Sequence, residues 1–166
     1  MDVDIKVAVI TVSDKGSKGE REDISGKVIE DAVRSEGMDV VLKAIIPDEY
    51  DAISTKIIEA IDKLGADVVL TTGGTGFSHR DVTPEATKTV LDREAPGFAE
   101  IIRSESYKIT PRAMLSRGTS GIRGQSLVVN LPGSPKAVRE GLEIILPVLS
   151  HGVEILRGEA HECAQS

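Results

Sequence analysis

The segment from residue 72 to residue 87 holds the positions of this chain best suited to chemistry. Its glycine-rich stretch, Gly73-Gly74-Thr75-Gly76, directly follows the apolar run Val68-Val69-Leu70, and Asp81 comes five residues later. Backbone N–H groups can surround an anion only where no side chain blocks its approach, and glycine leaves that approach open. A carboxylate beside such a loop suits Mg²⁺, which usually binds one or two acids together with substrate phosphates. The segment therefore predicts a phosphate-binding site.

The residues after the glycine loop predict the start of a helix. Thr83 is expected to be the N-cap and Pro84 the first helical residue, with Glu85 in the first turn. A strand, a glycine loop and a helix N-terminus in this order favour phosphate binding over a simple tight turn. The loop lacks the Gly-Lys-Ser/Thr ending of a Walker A motif, and it does not match Gly-x-Gly-x-x-Gly. A nucleotide would therefore bind in some other mode.

Three more segments carry candidate site residues. Ser13-Asp14 follows the first predicted strand, and Asp48 follows the second, although either acid also fits an ordinary turn. A second anion site is indicated at residues 132–136, because Pro132-Gly133-Ser134-Pro135-Lys136 combines a helix N-terminus with a hydroxyl and an ammonium group. Ser134 is the expected N-cap of that helix. Ser116-Arg117 ends a short predicted helix, where a solvent-facing arginine is the simpler explanation.

Apolar spacing along the chain predicts an α/β fold. Predicted strands at 5–12, 40–46 and 67–72 alternate with two helices, whose apolar stripes run from Ile24 to Val33 and from Ile53 to Leu64. Such alternation is typical of a mostly parallel sheet with helices on both faces, a three-layer α/β/α sandwich. Segments 118–123 and 126–130 predict an antiparallel hairpin around Gly124-Gln125. Ligands of such folds lie beyond the carboxyl ends of the strands, where the candidate residues fall.

Length and composition limit the classes of protein that need to be considered. The 166 residues predict one domain, 1–166, with residues 157–166 as a flexible tail. A net charge of −7 and 2% aromatic residues disfavour a nucleic-acid surface, and no apolar run is long enough to cross a membrane. The acidic N-terminus argues against a signal peptide, and Cys163 is the single cysteine, so a cytoplasmic protein is expected. His151, His161 and Cys163 show no metal-binding spacing. His79 could be a general base, but it has no evident acid partner and is expected to be an ordinary loop residue.

The motifs occur in an order that resembles one known family. The chain contains Thr11-Val12-Ser13-Asp14, Pro47-Asp48-Glu49, Thr72-Gly73-Gly74-Thr75-Gly76-Phe77, and the run from Arg80 to Thr87. Further along are Arg93-Glu94-Ala95-Pro96-Gly97-Phe98, Met114-Leu115-Ser116-Arg117, Gly121-Ile122-Arg123-Gly124 and Asn130-Leu131-Pro132-Gly133-Ser134-Pro135-Lys136. Together these resemble the molybdopterin adenylyltransferase family of molybdenum-cofactor biosynthesis, which includes the G-domains of gephyrin and its plant counterpart. The resemblance spans residues 5–157.

The resemblance implies a reaction and a set of site residues. The family adenylates molybdopterin with ATP and Mg²⁺, and the products are molybdopterin-AMP and pyrophosphate. Asp48 and Asp81 would be the catalytic and metal-binding acids, although which of them contacts the metal directly stays open. Ser13, Asp14, Gly73, Gly74, Thr75 and Gly76 would line the nucleotide side. Ser116, Arg117, Pro132, Gly133, Ser134 and Lys136 would bind the pterin and its phosphate.

The same resemblance implies partners and leaves two other functions open. The expected assembly is a homotrimer, although a hexamer is an alternative, and the expected consumer of the product is a downstream molybdate-insertion enzyme. Whether that pathway uses molybdenum or tungsten stays open. The chain could instead be a molybdopterin-binding carrier or scaffold without adenylyl transfer. It could also be an unrelated nucleotide-using enzyme on this fold, such as a hydrolase.

Overall fold

A single six-stranded sheet forms the centre of the computed structural model, which describes residues 4–159. The strands are β1 (Lys6–Val12), β2 (Asp39–Ile46), β3 (Val68–Thr72), β4 (Arg93–Glu94), β5 (Ser120–Arg123) and β6 (Ser126–Leu131). Their order in the sheet is β2-β1-β3-β6-β5-β4. Strands β2, β1, β3 and β6 run parallel, and β5 is antiparallel to both of its neighbours, β6 and β4. The predicted mostly parallel sheet and its hairpin are confirmed, and Gly124 turns between β5 and β6 with a φ of 59°.

Within the described part of the chain, six α-helices connect or flank the strands. They are α1 (Asp14–Ser17), α2 (Ile24–Ser35), α3 (Tyr50–Ile58), α4 (Thr83–Val90), α5 (Gly97–Tyr107) and α6 (Pro135–Leu156). A π-helical turn, Glu59–Lys63, continues α3, and a 3-10 helix covers Pro111–Leu115. Among the helices of the described part of the chain, none combines the length and the apolar character that crossing a bilayer requires.

The sheet separates two hydrophobic cores. Alternate residues of a strand point to opposite faces, so Val7 and Val9 of β1 join one core and Ala8 and Ile10 join the other. The first core contains buried residues of α2, α5 and α6. The second contains buried residues of α3 and α4. This double burial explains the apolar runs in the central strands β1, β3 and β6, and it confirms the three-layer α/β/α prediction.

Three local expectations differ from the structure. The apolar stripes predict burial of Ile24 and Leu64, but their side chains are 50% and 39% exposed. Ile24 is the first residue of α2, and Leu64 directly follows the π-helical turn, so both lie at helix ends. Thr83 is not the N-cap of α4: that position is Val82, which makes no capping bond. The Thr83 hydroxyl instead donates to the Gly73 carbonyl at 3.0 Å, so it holds the glycine loop. Helix α1 and strand β4 are too short to show periodicity in the sequence.

Arg157, which follows α6, joins this helix to the segments before β1 and β3. Its guanidinium donates to the Asp67 carboxylate and to the Asp4 carbonyl, each at 2.8 Å. Residues 160–166, including His161 and Cys163, lie outside the described residues, so the expected flexible tail at 157–166 stays a prediction.

A buried polar network links α4 to the centre of the sheet. The Asn130 side chain, 3% exposed, donates to the hydroxyls of Thr71 at 2.9 Å and Thr87 at 3.0 Å. Its oxygen accepts the Thr119 N–H at 3.1 Å. Buried polar groups destabilise a fold when they lack partners, so this network fixes the position of α4 over β3 and β6. The glycine loop connects β3 to α4 and depends on that position.

We expect Thr87→Val to destabilise the fold by about 1–3 kcal/mol, because one Asn130 N–H then stays buried without an acceptor. Valine keeps the shape of threonine, so the loss reports the hydrogen bond rather than a cavity. The measurement is the free energy of unfolding in urea. Thr89→Val is the matched control on the exposed side of the same helix, with an expected change within about 0.5 kcal/mol. Equal losses in the two variants would contradict the role of the network.

Candidate active site

A cavity of about 560 Å³ lies beyond the carboxyl ends of the parallel strands. Its lining contains the predicted residues Ser13, Asp48, Gly73, Gly74, Asp81, Gly133 and Ser134. Residues 21–25, which precede and open α2, complete the wall. Parallel strands place their following loops at one edge of the sheet, which is why residues distant in sequence meet here.

Asp14 and Asp48 are joined by reciprocal hydrogen bonds. The Asp14 N–H donates to the Asp48 carboxylate and the Asp48 N–H donates to the Asp14 carboxylate, both at 2.9 Å. Arg80 forks onto both oxygens of Asp14 at 2.9 and 3.0 Å. The turn after β1, the turn after β2 and the glycine loop are thereby connected. Asp14 therefore orders the site, and it is absent from the cavity lining.

The electrostatics of the two acids differ because their surroundings differ. Hydrogen bonds from the Arg80 guanidinium hold the pKa of Asp14 below its usual value, with help from the Asp48 N–H. Burial raises the pKa of Asp48, and the charges of Asp14 and Asp81 raise it further against the opposing Asp14 N–H. Asp48 thus holds its negative charge at an unfavourable place. A bound cation would relieve that cost.

The glycine loop needs glycine at two positions for reasons of space and backbone conformation. Gly73 and Gly74 have φ values of 95° and 69°, in the left-handed region that side chains disfavour. A Cβ on Gly73 would overlap the Val12 carbonyl, and one on Gly74 would overlap the Thr83 hydroxyl and lie 3.1 Å from Asp48 Oδ1. The loop therefore lies directly against both β1 and the acid.

Asp48 and Asp81 each keep one carboxylate oxygen available. Asp48 Oδ2 accepts the Asp14 N–H, and Asp81 Oδ2 accepts the Ser78 N–H at 3.0 Å. Their Oδ1 atoms make no hydrogen bond to another described residue. Within residues 4–159, no three acid, histidine or cysteine side chains cluster as a metal site. The donor set is thus two carboxylates, which fits a cation that completes its shell with phosphate oxygens and water.

A second cavity of about 260 Å³ lies between α5, the 3-10 helix and the start of α6. The predicted residues Ser116, Pro132 and Ser134 line it, together with Arg103 and Arg112. Ser134 lines both cavities, so the two meet at the segment 132–134.

Ser106 is a further candidate site residue, which the sequence motifs do not include. Its side chain is 7% exposed, it lines the second cavity, and its hydroxyl has no hydrogen-bond partner among the described residues. An unpartnered buried hydroxyl is costly, so it is a donor or acceptor suited to a polar ligand. The available signal was its spacing: Ala99, Ile102 and Ser106 form the buried side of α5, where a polar residue is unexpected.

The segment between the cavities is held by hydroxyl groups. The Thr72 hydroxyl donates to the Pro132 carbonyl at 2.5 Å, and the Ser25 hydroxyl donates to the Gly133 carbonyl at 2.7 Å. Ser134 accepts the Ala137 N–H at 3.2 Å, which confirms it as the N-cap of α6. The carbonyls are thereby turned toward the protein.

Besides Asp14, four predicted site residues line neither cavity: Thr75, Gly76, Arg117 and Lys136. The Arg117 guanidinium donates to the Gly76 carbonyl at 2.8 Å and the Asp81 carbonyl at 2.7 Å, and it pairs with Glu85. Its role in this geometry is to hold the glycine loop. The substrate contacts expected of Arg117 and Lys136 stay predictions.

The two cavities and the residues that line them agree with the protein family that the chain matches. The family described as "Probable molybdopterin binding domain" matches residues 8–151. The chain belongs to this family. The match covers the glycine loop, both aspartates and segment 132–136, and it confirms the family resemblance seen in the motifs.

Named relatives cover nearly the whole chain. A molybdopterin adenylyltransferase of Helicobacter pylori is 45% identical over 157 residues, which are 93% of this chain and 89% of that protein. A molybdopterin adenylyltransferase of Pyrococcus furiosus is 48% identical over 151 residues, 88% of each protein. The crystal structure of the molybdopterin biosynthesis enzyme MoaB from Thermus thermophilus matches with a TM-score of 0.88 and 44% identity. That match covers 95% of this chain and 99% of the other.

We expect Asp48→Asn to stabilise the folded chain at about pH 7 and to raise its melting temperature by a few degrees. The folded-state pKa of Asp48 is raised, so the wild type loses stability as pH rises from the ordinary value of 3.8 through the raised one. Asparagine carries no charge and can still accept the Asp14 N–H. At about pH 3 the aspartate is protonated and the two proteins should unfold alike. If the variant is less stable than the wild type at about pH 7, the negative charge of Asp48 does not destabilise the fold, and the prediction is wrong.

Proposed function

We propose that this chain transfers an adenylyl group from ATP to molybdopterin. The observation that carries the proposal is a pair of cavities that meet at Ser134, with Asp48 and Asp81 lining one of them, in a member of the molybdopterin-binding family. Relatives of nearly equal length bear the name molybdopterin adenylyltransferase. The chain is therefore proposed to be a nucleotidyltransferase.

ATP is assigned to the first cavity. Its volume of about 560 Å³ suits a nucleotide, and the loop at Gly73 and Gly74 leaves room for phosphates to approach the backbone. The wall at Ile24, half exposed at the start of α2, offers an apolar surface to a base or a ribose.

Molybdopterin is assigned to the second cavity. A pterin needs hydrogen-bonding groups around a flat ring, and Ser106 and Ser116 supply hydroxyls there. Its terminal phosphate needs positive charge and backbone donors. Arg112 on the cavity wall and the N-terminus of α6 at Ser134 supply both.

The reaction then follows from placing the two substrates on either side of Ser134. An oxygen of the pterin phosphate attacks the α-phosphorus of ATP, a new P–O bond forms, and the bond from the α-phosphorus to the bridging oxygen breaks. Pyrophosphate leaves with that oxygen. The chain binds and orients the reactants, and its loop N–H groups stabilise developing charge on phosphate oxygens. No protein nucleophile is required.

The residues present fit a magnesium ion. Asp48 and Asp81 would hold it through their available oxygens, and the raised pKa of Asp48 indicates a place where positive charge is favourable. When bound, Mg²⁺ screens the repulsion between the triphosphate and the carboxylates and stabilises the leaving pyrophosphate.

The proposal extends to the surroundings of the enzyme. The expected homotrimer, the cytoplasmic location and a downstream molybdate-insertion enzyme that consumes the product remain part of it. Supporting the last of these, adenylation leaves the pterin with an activated phosphate that a further enzyme must use. The single cysteine of the chain agrees with a reducing compartment.

We expect the wild-type chain with ATP, Mg²⁺ and molybdopterin to form molybdopterin-AMP and pyrophosphate, detected by mass spectrometry. Asp81→Ala should reduce pyrophosphate release by at least about 1,000-fold, because the Mg²⁺ that would neutralise transition-state charge loses one of its two carboxylate ligands. The melting temperature should change little. Chelation of Mg²⁺ should stop the wild-type reaction.

Two controls separate this proposal from its rivals. Asp51→Ala removes an exposed acid from the first turn of α3 and should leave turnover unchanged. Omitting molybdopterin should stop pyrophosphate release, whereas continued release would indicate a hydrolase. Molybdopterin binding with no turnover in the wild type would indicate a carrier or scaffold instead.

A further inference from the structure

Arg117 lies between the two cavities, and its side chain bonds to the loop that carries Asp81. Its Nε donates to the Gly76 carbonyl, its Nη2 donates to the Asp81 carbonyl, and its Nη1 contacts the Glu85 carboxylate. Its own N–H donates to the Thr75 carbonyl at 2.8 Å. The planar guanidinium contacts two loop carbonyls and one residue of α4 at the same time, which a lysine cannot do.

The residues next to Arg117 in the sequence line the second cavity. Its neighbour Ser116 lines that cavity, and Gly118 does too. The carbonyls of both neighbours accept hydrogen bonds from Arg103, at 2.9 and 2.7 Å, and Arg103 also lines the second cavity. A ligand that contacts Arg103 or Ser116 therefore acts on the same short segment that holds the glycine loop.

Asp81 depends on this connection for its position. Its carboxylate bonds to the Ser78 N–H inside the loop, so that bond cannot fix the loop relative to the sheet. Side-chain contacts that hold the loop to the rest of the chain include the Thr83 hydroxyl on the Gly73 carbonyl, Arg80 on the Asp14 carboxylate, and Arg117 on the Asp81 carbonyl. Of these contacts, the one made by Arg117 also connects the loop to the second cavity.

We propose that Arg117 is a positioning residue that couples the two substrate cavities. Ordering of residues 116–118 by the pterin is transmitted through the guanidinium to the Asp81 carboxylate, which completes the ATP site. The inference rests on the proposed function for the identity of the two ligands. It assigns Arg117 a role in coupling and positioning rather than in contact with the pterin.

The test is a two-ligand titration of the full chain by calorimetry. The probe is the Mg²⁺ complex of α,β-methylene-ATP, which cannot undergo cleavage between its α- and β-phosphorus atoms. In the wild type, saturating molybdopterin should tighten binding of this probe by about tenfold, a usual size for coupling between two sites. In Arg117→Gln that factor should fall to about one, while each ligand alone binds within about threefold of wild type.

Turnover supplies the second readout. Because a small displacement of a catalytic group is costly, kcat of Arg117→Gln should fall by about 100-fold. Each KM, measured with the other substrate saturating, should rise by about tenfold because the coupling is lost. Arg117→Lys should recover part of the coupling and part of kcat, since an ammonium can reach one of the two carbonyls. If Arg117→Gln does not fold, Arg117→Lys replaces it in both measurements.

Arg123→Gln is the matched control. Arg123 also donates to a backbone carbonyl, that of Val90, and pairs with a carboxylate, that of Asp62, but it lines neither cavity. It should lose comparable stability and keep the tenfold coupling. Coupling that survives in Arg117→Gln, or no coupling in the wild type, would overturn the inference. Loss of molybdopterin binding alone in Arg117→Gln would make Arg117 a direct ligand and overturn it too. A wild type that shows coupling but forms no adenylated pterin would instead contradict the proposed function.

Discussion

The site depends on one constraint, which is that four parallel strands end at the same edge of the sheet. The loops after β1, β2, β3 and β6 must share that edge, and polar side chains there must satisfy each other or a ligand. Asp14 and Asp48 do so by exchanging backbone N–H bonds across the ends of neighbouring strands. This exchange fixes Asp48 beside the glycine loop, where burial and then the charges of Asp14 and Asp81 raise its pKa although the Asp14 N–H opposes the rise. The geometry of the proposed phosphate site and the unfavourable negative charge of Asp48 therefore both follow from the meeting of these loops at one edge of the sheet.

Much of the fold and part of the site follow from residue types and spacing. Continuous apolar runs such as Val68-Val69-Leu70 can be stable only when both faces of a strand are covered, so they predict a sheet between two helix layers. Ser134 before Pro135 predicts a helix start because its hydroxyl has one obvious partner, the N–H three residues on. Glycines after a strand predict a loop in close contact with other atoms, as Gly74 confirms. These signals are local, or repeat along the chain.

The parts that could not be predicted are those set by contacts between distant segments. Thr83 has the type and place of an N-cap, yet its hydroxyl bonds to Gly73 because the loop folds back over it. Arg117 has the type of a phosphate ligand, yet loop carbonyls occupy its guanidinium. The spacing of Ser106 places it on the buried side of α5, but the missing hydrogen-bond partner of its hydroxyl among the described residues follows from how α5 packs on the sheet. A residue's type gives its chemical capacity, and the fold decides where that capacity is used.

The central claim is that the pterin phosphate attacks ATP directly across Ser134, with no adenylated protein in between. The stereochemistry at the α-phosphorus tests this most directly, using a single diastereomer of ATPαS as the adenylyl donor and molybdopterin as the acceptor. A single in-line displacement predicts inversion of configuration in the thio-adenylated pterin. Retention would show two successive displacements through a covalent adenylyl-enzyme, and it would contradict the account.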